Sequence, residues 1–366
     1  MLRKTLKVVG LSLLVLVAVA VSSALLYRKY LQYKVTTARA IRSPNGINRL
    51  EHVRIGGIDQ WMEVRGQDVN NPILLFIHGG PGIAFIPLAG SFQTPWEKYF
   101  TVVQWDQRGA GKTYASNDKA VQRRTLTVPQ MEQDALEVVD YLRDRFGRKK
   151  IFVVGHSWGS ILGLWLAQQH PERLYAYVGT RQVVNMEKND EIAYQDALRQ
   201  ARNTHNEQAI KELEGIAPYP PPTIDMQKES IARYWEGQFS GLPPSGPDFT
   251  DVRRILRDVV SAPQYSLADD LGFIHGQSFS LEVLVPKMGR IDFGQSGLDL
   301  RTPVFFFEGR HDPFCPASLI WQYEETITAP QKGFIWFENS GHFPFFEEPQ
   351  KFTDELVRQV LPLARE

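Results

Sequence analysis

One cysteine, Cys315, occurs in 366 residues, so neither an intrachain disulfide nor a cysteine-built zinc module can form. An excess of charge is also missing: 41 basic side chains balance 41 acidic ones. A general nucleic-acid binder needs a basic surplus, and that class loses its support. The eight histidines show no His-x-x-x-His spacing, which argues against a zinc site. Internal repeats and low-complexity runs are absent. With 43% hydrophobic and 22% charged residues, the composition is that of a folded chain rather than a disordered one.

Long uncharged runs are scarce, with one exception at Val8–Tyr27. As a helix this run spans about 30 Å, the hydrocarbon thickness of a bilayer. Arg3, Lys4 and Lys7 precede it, and Arg28, Lys29 and Lys34 follow. A cleaved signal peptide would have a shorter apolar region, although Ala18-Val19-Ala20 fits a cleavage pattern. The expectation is a single-pass anchor over 1–36; a cleaved signal and a buried helix of a soluble protein are the alternatives. The basic flanks nearly balance, so the positive-inside rule assigns no side. A signal-like segment would favour the extracytoplasmic one.

After a polar linker at 35–48, with a turn at Ser43-Pro44-Asn45-Gly46, strands and helices alternate. Gly56-Gly57 between two short apolar stretches suggests a hairpin. Continuous apolar runs at Ile73–Ile77, Ile151–Val154 and Val304–Phe307 read as strands buried on both faces. The helical spacing of Met131, Ala135, Val138, Val139, Leu142 and Phe146 predicts a helix that ends at Gly147. This is an α/β pattern: a mostly parallel sheet with helices on both faces. Residues 181–300 break the rhythm, with Pro218, Pro220, Pro221 and Pro222 and the run Leu242-Pro243-Pro244-Ser245-Gly246-Pro247. They read as a helical cap inserted between core halves at 37–180 and 301–366.

The chemistry gathers at strand ends. Strand Ile151–Val154 runs into Gly155-His156-Ser157-Trp158-Gly159 and then a helix, the Gly-x-Ser-x-Gly nucleophile elbow. Ser157 is the candidate nucleophile, and the Trp158 N–H points into the same space. A serine needs a base oriented by an acid, in the chain order serine, acid, histidine. Asp312 follows one strand and His342 the next, both past C-terminal ends. Glu308 is the competing acid, nearer the strand body. A second oxyanion donor is expected in His78-Gly79-Gly80-Pro81-Gly82, at the N–H of Gly80, with Gly79 as its neighbour alternative. Such a site needs neither cofactor nor metal. Gly109-Ala110-Gly111-Lys112-Thr113 ends like a phosphate-binding loop, but Asp106 stands where that motif needs glycine.

These motifs, with Asp106-Gln107-Arg108-Gly109-Ala110-Gly111, resemble the proline iminopeptidase branch of the α/β-hydrolases over residues 50–180 and 300–360. The resemblance implies a helical cap over the site. It also implies a substrate with a free N-terminal amine, often proline, held by cap carboxylates. Glu236, in Tyr234-Trp235-Glu236-Gly237, matches the branch's cap Trp-Glu pair and is the substrate-binding candidate. His156 replaces a usual glycine, Ile83-Ala84-Phe85-Ile86 follows the oxyanion loop, and an apolar segment precedes everything. The expected activity is a serine hydrolase of the proline-iminopeptidase type acting on a small peptide, with a carboxylesterase acting on a small ester as runner-up. A non-catalytic binding protein would normally have lost one of these residues.

Overall fold

The computed structural model describes residues 2–239, 251–288, 291–294 and 299–364. Helix α1 (Leu2–Ala38) leads into the hairpin β1 (Ile47–Ile55) and β2 (Ile58–Gly66), then β3 (Ile73–Ile77) and β4 (Thr101–Asp106). Next come α2 (Gly111–Ser116), α3 (Lys119–Thr125), α4 (Val128–Phe146), β5 (Ile151–His156), α5 (Trp158–Gln169) and β6 (Leu174–Thr180). Among the described residues, five α-helices stand between β6 and the next strand: α6 (Met186–Asn203), α7 (Glu207–Gly215), α8 (Met226–Gln238), α9 (Val252–Ser261) and α10 (Leu267–Leu284). The chain closes with β7 (Val304–Gly309), α11 (Ala317–Thr326), β8 (Lys332–Phe337), α12 (Pro344–Glu347) and α13 (Pro349–Glu355).

The strands form one sheet in the order β1-β2-β4-β3-β5-β6-β7-β8. β1 pairs with β2 and β2 with β4 antiparallel, and every later pairing is parallel. Gly56 and Gly57 both take positive φ (52° and 80°) between the paired Ile55 and Ile58, the turn that a twisted two-residue hairpin requires. Side chains alternate across β3: Ile73, Leu75 and Ile77 join one buried cluster with α4 and α5, while Leu74 and Phe76 join a second with Phe85, Phe92, Trp96 and Phe345. The sheet is thus covered on both faces, as its unbroken apolar strands demand. α4 starts with the Thr127 side chain accepting from Gln130 N and stops at left-handed Gly147.

The cap helices have a small core of their own, with Tyr194, Leu198, Leu213 and Trp235. The Leu242–Pro247 run lies outside the described residues. α1 extends further than the apolar run alone requires, into the stretch read as linker, because its last turns are held: Arg28 and Gln32 are buried against the α9–α10 connection. The anticipated turn survives at Pro44-Asn45. Lys112, part of the phosphate-loop lookalike, is spent on an ion pair with Asp269 at 2.7 Å.

Candidate functional site

Ser157 stands between β5 and α5 with φ 51° and ψ −119°. A positive φ costs a non-glycine residue about 1–3 kcal/mol, and the surroundings must hold it. They do so with hydrogen bonds from Ser157 N to Thr180 O (3.1 Å) and from Ser160 N and Oγ to Ser157 O (2.8 and 2.6 Å). The Ser160 hydroxyl also accepts Val183 N at 2.9 Å, tying the elbow to the first residues of the cap segment. A Cβ at Gly159 would overlap the Ile77 carbonyl, so only glycine lets α5 start this close to β3.

Asp312 lies in the loop after β7, and His342 in the loop after β8. Asp312 Oδ1 is 3.5 Å from His342 Nδ1 and accepts Phe314 N at 2.7 Å; Oδ2 accepts Cys315 N at 3.0 Å and pairs with Arg181. His342 is wedged against Phe314, Phe343 and His156. Burial, then the Arg181 charge, hold its pKa well below the usual histidine value, so the ring is a neutral base. Glu308 does something else. Its two oxygens accept the backbone N–H groups of Arg181 and Gln182, each at 3.1 Å, and burial pushes it up to about 8. Arg181, at φ 62° and fully buried, donates to Gly341 O at 2.7 Å while facing Asp312. One guanidinium therefore joins the acid loop to the histidine loop, a role the sequence did not signal.

His156, the residue in place of glycine, is buried among Phe85, Phe343 and Phe345 and donates Nε2–H to the His342 carbonyl at 2.9 Å. Burial lowers its pKa to about 3, so it acts as a neutral strut. Ala84, Phe85 and Ile86, just after the His78–Gly82 loop, are core residues. Gly80 takes φ 121°, where a side chain would be strained. A further residue went unnoticed in the Asp106–Gly111 motif. The Gln107 side chain donates to His78 O (2.8 Å) and accepts Trp158 Nε1–H (3.1 Å), while its backbone N–H donates to His78 Nε2 (3.3 Å). Gln107 thus clamps together the two segments that carry the candidate oxyanion donors.

A cavity of about 820 Å³ is lined by Gly80, Ser157, Trp158 and His342 from the core and by Glu187, Asp190, Glu229, Arg233 and Tyr234 from the cap. Arg233 pairs with Asp190, with Glu236 (3.0 Å) and with Glu229 (3.5 Å). Three carboxylates around one guanidinium leave excess negative charge beside the cavity. Glu236 itself does not line that cavity. It is fully buried behind Arg233, lines a second cavity of about 690 Å³ shared with Asp312, and is raised to about 7, chiefly by burial. Trp235 packs in the cap core and donates its indole N–H to Glu212, whereas Tyr234 reaches the cavity that Ser157 lines. Asp190 and Arg233 sit on α6 and α8, whose many charged residues give no sequence signal of which face a cavity.

The family described as alpha/beta hydrolase fold matches residues 72–349. The probable aminopeptidase YbaC of Bacillus subtilis is 34% identical over 85% of this chain and 96% of its own length. A probable proline iminopeptidase of Leptolyngbya boryana is 34% identical over 77% of this chain and 84% of its own. Among solved structures, the proline iminopeptidase of Mycobacterium smegmatis superposes with a TM-score of 0.59 at 20% identity, covering 86% of this chain and 98% of that one.

Proposed function

Because the chain belongs to the α/β-hydrolase family, in its proline-iminopeptidase-like branch, we propose that it is a serine hydrolase that removes an N-terminal residue, proline or similar, from peptides. Ser157 attacks the scissile carbonyl while His342 takes its proton and passes it to the leaving amine. Asp312 orients the imidazole. The N–H groups of Gly80 and Trp158 receive the developing oxyanion, at about 3–4 kcal/mol per donor. Water, activated by the same histidine, then releases the acyl group.

The observation that carries this reading is the single cavity shared by Ser157, His342 and the cap carboxylates. A substrate ammonium adds a cation where three acids face one arginine, and each charge-assisted hydrogen bond there outweighs a neutral one. Asp190 and Glu229 line the cavity and would meet the ammonium; Glu236, behind Arg233, sets the charge of the cluster. Arg233 also supports a second reading, a carboxylesterase with the same residues, since its pairs already occupy the acids. Proline p-nitroanilide against p-nitrophenyl esters separates the two. The peptidase reading expects Asp190→Asn to lower kcat/KM on the anilide by the equivalent of about 1.5–3 kcal/mol, and Glu236→Gln, which removes charge only behind Arg233, to lower it less, both sparing the ester. Ester turnover without anilide turnover would refute it.

We also read α1 as a single-pass membrane anchor. Its apolar stretch from Val9 is exposed and buries nothing against the rest of the chain, which speaks for an anchor over a buried helix.

A further inference from the structure

We propose that the outer face of cap helices α9 and α10 is a membrane-docking surface, seated in the headgroup zone of the bilayer that α1 enters. The proposal rests on the reading of α1 as an anchor. The apolar run of α1 stops at Tyr27, and the next residue, Arg28, is already locked to the cap. It donates to Tyr265 O and to Asp270 Oδ2, both at 2.9 Å. One turn later Gln32 donates to Ala262 O (2.9 Å) and Tyr265 O (3.2 Å). At 1.5 Å per residue, the α9–α10 connection is held within about 8 Å, along the helix axis, of the end of the apolar run.

Both helices that meet at this connection carry a bare apolar stripe. On α9 it is Val252, Leu256 and Val260, and on α10 it is Leu267, Leu271 and Ile274, at spacings of three or four residues. Their exposure runs from 37% to 63%. The opposite faces are buried in the ordinary way, through Val259, Phe273 and Phe279. Helical stripes of this kind normally mark the side turned to a partner, and nothing among the described residues covers these. Arg253 and Arg257 on α9 and Lys29 and Lys34 on α1 are exposed near the same junction, as are Tyr27, Tyr30 and Tyr33. Asp251 is exposed and caps α9 by accepting Arg253 N, while the other acids of α9 and of the start of α10 are ion-paired: Asp258 with Arg254 and Arg257, Asp269 with Lys112, Asp270 with Arg28. Apolar stripes bordered by cations and tyrosines, continuous with a membrane-length helix, suit the interface of an anionic bilayer. α10 starts at this junction, and Leu281 near its other end lines the catalytic cavity. About 21 Å of helix thus runs from Leu267 at the junction to Leu281 at the cavity.

The test uses the full-length chain in phosphatidylcholine–phosphatidylglycerol vesicles that contain nitroxide-labelled lipids. Leu256→Cys, Leu271→Cys, Gln208→Cys and Leu16→Cys each receive an environment-sensitive fluorophore. Unsubstituted protein measures the background from Cys315, which is buried. Positions 256 and 271 are expected to be quenched several-fold more than 208 by shallow nitroxides, and position 16 by deep ones. Equal, weak quenching at 256, 271 and 208 beside strong quenching at 16 would overturn the docking face and leave the anchor standing. No quenching at 16 would remove the anchor and this proposal with it. Shielding of 256 and 271 from aqueous iodide without lipid quenching would assign the face to a second copy of the chain and overturn the bilayer assignment.

Discussion

Asp312→Asn and Glu308→Gln place the two neighbouring acids in competition. Asp312 stands 3.5 Å from His342 Nδ1 and also faces Arg181, whereas Glu308 spends both oxygens on backbone N–H groups. An amide at 312 turns a donor toward the imidazole and selects the wrong tautomer, an exchange that costs serine proteases about 10⁴-fold in kcat. The 3.5 Å separation is long for a hydrogen bond, as is common before substrate binds. The expected loss is therefore about 10³–10⁴-fold, or about 4–5.5 kcal/mol of barrier. Arg181 also loses its buried counter-ion, so stability should fall by about 3–5 kcal/mol. Glu308→Gln leaves one backbone N–H without an acceptor, which costs about 1–3 kcal/mol of stability. Its kcat per folded site should stay within about threefold, because no proton in the reaction passes near it. Urea denaturation gives the stabilities, and active-site titration with a fluorophosphonate normalises kcat. Equal losses of normalised kcat, or the reverse order, would refute the assignment of Asp312.

Ser157→Ala should abolish both turnover and fluorophosphonate labelling with an unchanged circular dichroism spectrum; persistent labelling would point to another nucleophile. His342 is held well below the ordinary histidine value, so its basic form persists to lower pH, and the acidic limb of ester kcat/KM should lie below about pH 6.5. Glu236 is raised to about 7, so protonation should raise KM for free-amine substrates as pH falls through that value, while ester KM stays flat. Gln107→Leu strands the His78 carbonyl and the Trp158 indole, and kcat should drop at least tenfold with KM little changed in steady-state assays. Removing residues 1–27 should preserve the thermal midpoint, whereas removing 1–36 should lower it, since only the second cut strips Arg28 and Gln32 from the cap.

The strands were readable because burial on both sheet faces forces unbroken apolar runs, and the elbow because its glycines are steric necessities. Asp312 stood apart from Glu308 on distance past the strand end alone. Arg181 was hidden: a charged residue after β6 gives no sign that it will be buried between two loops that come much later in the chain. The same holds for Arg233, whose spacing on α8 fits a solvated face as well as a cavity wall. Arg28 reads as the basic flank of an apolar helix and Gln32 gives no signal, because the cap surface that receives them is assembled only in three dimensions. Glu236 was chosen by its neighbours, but helical geometry sends Tyr234 to the cavity and turns Glu236 behind Arg233.

Arg181 also sets a clock. Its side chain needs Asp312 and the Gly341 carbonyl, and its backbone needs Glu308, yet all three leave the ribosome after the whole cap. Until then the elbow and its serine stand without Asp312, His342 and the guanidinium bridge between their loops. During synthesis the α1 segment emerges before the sheet, and Glu308, Asp312 and Gly341 follow only after the cap helices. On the proposed function, hydrolytic competence would arrive only with the C-terminal strands that carry Asp312 and His342 into place.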